Sequence, residues 1–198
     1  MDDDSATYEV ELKFRLDAPD GLIEKLHDLN AVPAAPIQQR DTYFAHPVRD
    51  FGETDEALRI RSAGSRNVVT YKGPLVDTLS KTRREIEVAF AEGRQSAGEI
   101  EQILTILGFS PVRTVEKTRT PYHFDWENRS IELALDDVTG LGNFVELETI
   151  SDASDREAAR DALLRLAQHL GLSGSLRTSY LCLLLDQDAQ QKVGGSDS

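Results

Sequence analysis

Cysteine is almost absent from this 198-residue chain, Cys182 standing alone, so one copy can build neither a disulfide framework nor a cysteine-based zinc site. No apolar run approaches the roughly 20 residues that a membrane-spanning helix needs, which excludes a helical membrane protein. The opening Met1-Asp2-Asp3-Asp4 has neither the basic flank nor the apolar core of a secretion signal, and the chain reads as cytoplasmic. Lysine is scarce, 6 residues against 16 arginines, and these 22 bases face 35 acids for a net charge of −13. An acidic protein of this kind has no general affinity for nucleic acid, whose phosphates need a basic surface. The many aspartates and few lysines fit a protein kept hydrated in high salt. Hydrophobic residues at 39% and charged residues at 29% describe an ordinary globular domain. Neither an internal repeat nor an interdomain linker is visible. Residues 1–185 read as one domain, and the polar, glycine-containing stretch 186–198 as a disordered tail.

What is present is a local reversal of charge and a strong period of two. Between Arg59 and Arg84, seven bases (Arg59, Arg61, Arg66, Lys72, Lys81, Arg83, Arg84) face a single acid, Asp77. From Tyr8 to Leu16, apolar Tyr8, Val10, Leu12, Phe14 and Leu16 alternate with charged Glu9, Glu11, Lys13 and Arg15, the signature of a strand. Strand-like runs recur at 39–44, 57–61, 67–72, 82–90, 112–120, 130–136 and 144–150. Pro19 suits the first turn of a helix carrying Leu22, Ile23, Leu26 and Leu29. Two further helices are expected behind apparent capping boxes, Ser96 with Glu99 and Ser154 with Glu157, closed by Gly108 and Gly171. A short helix is expected at Tyr180 to Leu185. His27, His46, His123 and His169 are scattered and read as structural or surface residues, and Trp126 as a hairpin-tip aromatic.

Nearly every strand carries a charged stripe. An open sheet with one wet face would explain this. So would a closed antiparallel barrel, α+β in class, with eight strands, a charged lumen and helices packed on its apolar outer face. Glu9 with Glu11, and Glu146 with Glu148, sit two apart on one face at about 7 Å, and Asp136 is a hairpin away. These hard oxygen donors, with no sulfur among them, favour Mg²⁺ or Mn²⁺. Lys13, Arg59, Arg61, Lys72, Arg83, Lys117 and Arg119 outnumber five carboxylates already engaged with a metal. The surplus calls for an anion, and a polyphosphate with its divalent cation satisfies both sets.

The same residues resemble a known family. Glu9-Val10-Glu11-Leu12-Lys13 is similar to the ExExK signature of the CYTH superfamily, the triphosphate tunnel metalloenzymes. Arg59-Ile60-Arg61, Tyr71-Lys72-Gly73, Arg83-Arg84-Glu85-Ile86-Glu87, Glu116-Lys117-Thr118-Arg119 and the Asp136 to Glu148 hairpin follow in family order. The Gln39-x-Asp41-x-Tyr43-Phe44 strand and the Ser179-Tyr180-Leu181 helix resemble most the class IV adenylyl cyclase branch. The resemblance implies an eight-stranded tunnel over about residues 7–185, a homodimer, and ATP converted to cyclic AMP and pyrophosphate. The alternatives are hydrolysis of thiamine triphosphate, tripolyphosphate or a nucleoside triphosphate, and a non-catalytic nucleotide or polyphosphate binder. On this resemblance Glu9, Glu11, Asp136, Glu146 and Glu148 are the expected metal ligands, and Lys13, Arg59, Arg61, Lys72, Arg83, Lys117 and Arg119 the expected phosphate ligands. Lys72, Glu11 and Glu146 are the expected catalytic residues.

Overall fold

The structure is a computed structural model that describes residues 8–17, 20–75 and 83–194. In chain order the elements are β1 (Tyr8–Arg15), α1 (Asp20–Asp28), β2 (Val32–Pro33), β3 (Ile37–Ala45), α2 (Phe51–Thr54), β4 (Ala57–Ala63) and β5 (Arg66–Lys72). They continue with β6 (Arg83–Phe90), α3 (Gly93–Ile106), β7 (Ser110–Trp126), β8 (Arg129–Val138), β9 (Gly142–Ser151), α4 (Arg156–Leu170) and α5 (Tyr180–Gly194). The sheet runs β7-β3-β4-β5-β6-β1-β9-β8, and β7 also pairs with β8. Every pairing is antiparallel. The eight strands therefore close into a barrel, while two-residue β2 adds a short rung on the far end of β7 at His123 and Tyr122.

Closure sorts the alternating residues. Val10, Leu12 and Phe14 of β1 and Val145 and Leu147 of β9 turn outward beneath Leu22 and Leu26 of α1 and Leu163, Leu166 and Leu170 of α4. Phe44 and Ile60 turn outward under Ala97, Ile100 and Leu104 of α3. The charged members of the same strands turn inward. A third cluster, Val115, Val138 and Phe144 with Tyr180 and Leu184, seats α5 against one end of the barrel. The β7–β8 hairpin turns through Glu127 and Asn128 at φ 50° and 60°; Trp126 stands at its tip, its ring 5.1 Å from that of His169.

Three local expectations need correction. Helix α3 begins at Gly93 behind Glu92, and α4 begins behind Asp155, neither with a side-chain cap, so Ser96 and Ser154 do not cap them. Asp152 instead accepts from the Ser154 and Asp155 backbone N–H groups, tightening the approach to α4. Helix α2, which the sequence pattern does not announce, is capped by Asp50 through Gly52 and Glu53. Helix α5 continues through residues 186–194 where disorder is expected; Ala189, Gln190, Gln191 and Lys192 are good helix formers, and Arg113 holds Asp188 at 3.2 Å. The glycine stops hold, with Gly171 at φ 75° and Gly108 at φ 94°. Pro19, Lys81 and Thr82 lie outside the described residues.

Candidate active site

Antiparallel register decides which charges meet inside the barrel. On β1, β9 and β8, Glu11 lies opposite Glu148, and Glu148 opposite Glu132. Three carboxylates thus form a row across three adjacent strands, an arrangement of like charges that costs stability unless a cation joins it. On the other side, Asp41 of β3 lies opposite Arg61 of β4, and Lys72 of β5 opposite Glu85 of β6. The cavity so lined measures about 1110 Å³.

All seven expected phosphate ligands and four of the five expected metal ligands, Glu9, Glu11, Glu146 and Glu148, line this cavity. The fifth, Asp136, has a fully buried side chain held by Lys117 at 2.7 Å, by both Arg119 nitrogens at 2.8 and 2.7 Å, and by the Tyr180 hydroxyl at 3.0 Å. Asp136 therefore stands as the anchor of the basic set. Arg119 also donates to Glu146 in a very short contact. Lys72 is fixed by Glu9 at 3.1 Å and Glu85 at 2.5 Å. Arg83 donates to the Asp55 carbonyl at 2.9 Å, bracing the segment that leads from α2 into β4.

Asp41 is a lumen residue to which the charge stripes assign no role. Its carboxylate takes Arg61 Nε at 2.7 Å and Nη2 at 2.7 Å, and Arg59 at 3.3 Å. Its signal was the alternation Gln39, Asp41, Tyr43. Glu85 and Glu87 orient the basic set: both lie 3.7 Å from Arg59, and Glu87 accepts from Thr70 at 2.8 Å.

The electrostatics follow burial and proximity. Burial alone would raise the Asp41 carboxyl, but Arg59 and Arg61 hold it well below the ordinary carboxylate range. Glu148 is the reverse case: burial, then Glu9, push it well above that range, and among the described residues no hydrogen bond or ion pair reaches it. Burial likewise raises Glu9. Glu9, Glu11 and Glu148 offer hard oxygen donors of the kind a divalent cation takes, although among the described residues no three acidic or histidine side chains are gathered as a metal site in this structure. Burial, then Glu146 and Asp136, push the Tyr180 phenol far upward, so its hydroxyl stays a donor.

Burial, then Arg119, pull the Lys117 ammonium down to about 8, against the opposite pull of Glu146 and Asp136. It is charged below that pH and neutral above. Metal-free binding of tripolyphosphate, followed by calorimetry, is expected to weaken as pH rises from 7 through about 8, and Lys117→Arg should flatten that step because guanidinium does not titrate there. A wild-type profile flat to about pH 9.5, together with an unchanged tripolyphosphate affinity in Lys117→Met, would remove Lys117 from the phosphate ligands.

The family model for the CYTH domain matches residues 7–180. The chain belongs to the CYTH family. This CYTH protein is 39% identical over 176 residues to the "putative adenylate cyclase" of Methanocaldococcus jannaschii, an overlap covering 87% of this chain and 96% of that one. A solved structure from Pyrococcus horikoshii OT3 shares 38% identity with a TM-score of 0.79, over 90% of this chain and 99% of that one. At 17% identity and a TM-score of 0.61, a Hippeastrum protein described as a "putative adenylyl cyclase" with a dominant triphosphatase activity has the same fold over 90% of this chain and 96% of its own. CYTH tunnel enzymes use divalent metals.

Proposed function

We propose that this CYTH protein is a class IV adenylyl cyclase-like enzyme that converts ATP to cyclic AMP and pyrophosphate with Mg²⁺ or Mn²⁺. The observation that carries the reading is the mixed lining of its cavity. It presents Lys13, Arg59, Arg61, Lys72, Lys117 and Arg119 to a polyanion, and Tyr43, Phe51, Leu181 and Leu185 also line it, apolar surface that a bare polyphosphate would leave unused. The relative in M. jannaschii carries the name of the same activity. The proposed enzyme acts as a homodimer, as the family resemblance implies, and in the cytoplasm, as its sequence suggests.

In this reading the ribose 3′-hydroxyl oxygen forms a bond to the α-phosphorus, the bond from that phosphorus to the oxygen bridging to the β-phosphate breaks, and the hydroxyl proton leaves to solvent. Catalysis of this kind rests on alignment and charge neutralisation. Lys72, buried between Glu9 and Glu85, keeps its charge: burial, the largest influence, would lower it, but Glu9, Glu85 and Glu11 together outweigh that and its pKa is raised. Arg59 and Arg61 on β4 and Lys117 and Arg119 on β7 clamp phosphate oxygens from neighbouring walls. Glu9, Glu11, Glu146 and Glu148 would hold the divalent cation, which supplies charge to the developing pyrophosphate.

A product assay tests this. Incubation with ATP, thiamine triphosphate and tripolyphosphate should give cyclic AMP and pyrophosphate in equal amounts from ATP only, and Lys72→Ala should lower both in parallel. Orthophosphate from all three, with no cyclic nucleotide, would make the protein a triphosphatase. The Hippeastrum fold relative shows that both descriptions attach to this barrel.

A further inference from the structure

We infer that Glu56 is a positioning residue of the triphosphate site: it fixes the short α2 turn whose closing residue, Asp55, holds Arg83 at the cavity through its carbonyl. The inference rests on the reading that Arg83 belongs to the set that binds the phosphate chain.

The other expected phosphate ligands are placed by carboxylates that stand on the strands themselves. Lys13 lies within 4.0 Å of Glu11 and Glu146, Arg59 and Arg61 lie against Asp41, Lys72 against Glu9 and Glu85, and Lys117 and Arg119 against Asp136. Arg83 differs. Among the described residues its contact is the Asp55 carbonyl, which accepts from its guanidinium at 2.9 Å, and that oxygen belongs to the connection between α2 and β4. The Arg83 side chain is buried and lines the cavity, but the direction of its guanidinium depends on where Asp55 stays.

Asp55 cannot hold that place unaided. It closes α2 in the left-handed region, at φ 56° and ψ 23°, which a residue other than glycine adopts at a cost and keeps where its surroundings enforce it. A helix of 4 residues supplies little stability of its own. The next residue in the chain supplies the enforcement. The Glu56 side chain is 4% exposed, and its carboxylate gathers three donors: the Thr54 hydroxyl at 2.8 Å, the Arg49 guanidinium at 3.1 Å and, in a very short contact, the Tyr71 hydroxyl. Arg49 precedes α2, Thr54 ends it, and Tyr71 stands on β5. One buried carboxylate thus ties both flanks of the turn to the barrel wall, with Asp55 between Thr54 and itself.

The sign of the effect separates this role from charge alone. Glu56 lines the cavity, and a carboxylate that only faced an incoming polyphosphate would repel it, so its removal should tighten binding. Removal of a positioning carboxylate should weaken it. Calorimetric titration with tripolyphosphate in EDTA, on the wild-type protein, Glu56→Ala, Arg83→Met and the double variant, reads both without any turnover. Arg83→Met should bind about tenfold or more weakly, the usual size for one charge-assisted contact. Glu56→Ala should bind about fivefold more weakly, and the double variant within about twofold of Arg83→Met, because the residue that Glu56 positions is already gone. A folded Glu56→Ala variant that binds as tightly as the wild type, or more tightly, would overturn the inference, as would losses that multiply in the double variant, which mark a role apart from Arg83. Should Glu56→Ala fail to fold, Tyr71→Phe, which removes one of the three donors, enters the same cycle: a loss of about threefold that vanishes beside Arg83→Met supports the inference, and wild-type affinity or a loss that persists overturns it. If Arg83→Met itself binds as the wild type does, Arg83 is no phosphate ligand and the inference falls. If the wild-type protein does not bind tripolyphosphate, the triphosphate reading fails first.

Discussion

Glu148→Gln is expected to make the metal-free protein more stable and to abolish its divalent-dependent turnover. Glu148 sits between Glu11 and Glu132 on neighbouring strands, and burial and Glu9 already push its carboxyl well above the ordinary range. Replacing it by a neutral amide of the same shape removes its repulsion with the neighbouring carboxylates of the row. Relief of about 1 kcal/mol would raise the thermal midpoint by roughly 2–4 °C. On the proposed reading the same change also deletes a metal donor, and loss of one such electrostatic contribution typically costs about 10²–10³ in rate. The two effects are separable by scanning calorimetry with and without metal. Added Mg²⁺ or Mn²⁺ should raise the midpoint of the wild-type protein by mass action and leave that of the variant almost unmoved. A variant that is less stable in EDTA, or that retains the metal-induced shift, would show that Glu148 serves the fold and not the cation.

The barrel was legible because its two faces differ in chemistry as well as in exposure. Glu9, Glu11 and Lys13 alternate with Val10 and Leu12, and Arg59 and Arg61 with Leu58 and Ile60; each strand therefore states which side is interior, and the recurrence of charge in successive strands favours closure. The resemblance in motif order supplied what alternation could not, the family. Less legible was anything that depends on register between distant strands. Asp136 looks like a metal donor beside Glu146 and Glu148. The pairing that puts it opposite Arg119, and the arrival of Tyr180 from α5, add contacts to Lys117, Arg119 and Tyr180 that alternation does not reveal. The helix starts failed for a different reason. A Ser followed three residues later by Glu occurs freely in an acidic chain, and neither Ser96 nor Ser154 adopts the capping position once β6 and β9 fix where the connection begins. The end of α5 was missed because a polar stretch reads as tail until Arg113, far away in sequence, supplies a partner for Asp188.

Asp41 shows the same principle at the centre of the site, and Asp41→Ala is the substitution with the largest expected cost. In the sequence it stands among Arg40, Thr42 and Tyr43, so both faces of β3 look polar and no stripe marks it. In the barrel its side chain is 3% exposed and lies against Arg59 and Arg61, themselves 9% and 16% exposed. Removing the carboxylate leaves two guanidinium groups close together in a lumen with little access to water. Breaking a buried pair in this way typically costs about 3–5 kcal/mol, chiefly through the charge left behind. Urea unfolding without ligand should show a loss of that order. Tripolyphosphate should then restore much of it, since the anion offers the two arginines the partner that Asp41 had been, and a ligand that binds only the folded state stabilises it by mass action. Affinity is expected to rise relative to the wild-type protein, because the phosphate no longer displaces a carboxylate from Arg61. Equal stabilisation of both proteins by tripolyphosphate, or tighter binding to the wild type, would mean that Arg59 and Arg61 are structural partners of Asp41 and do not hold the phosphate chain.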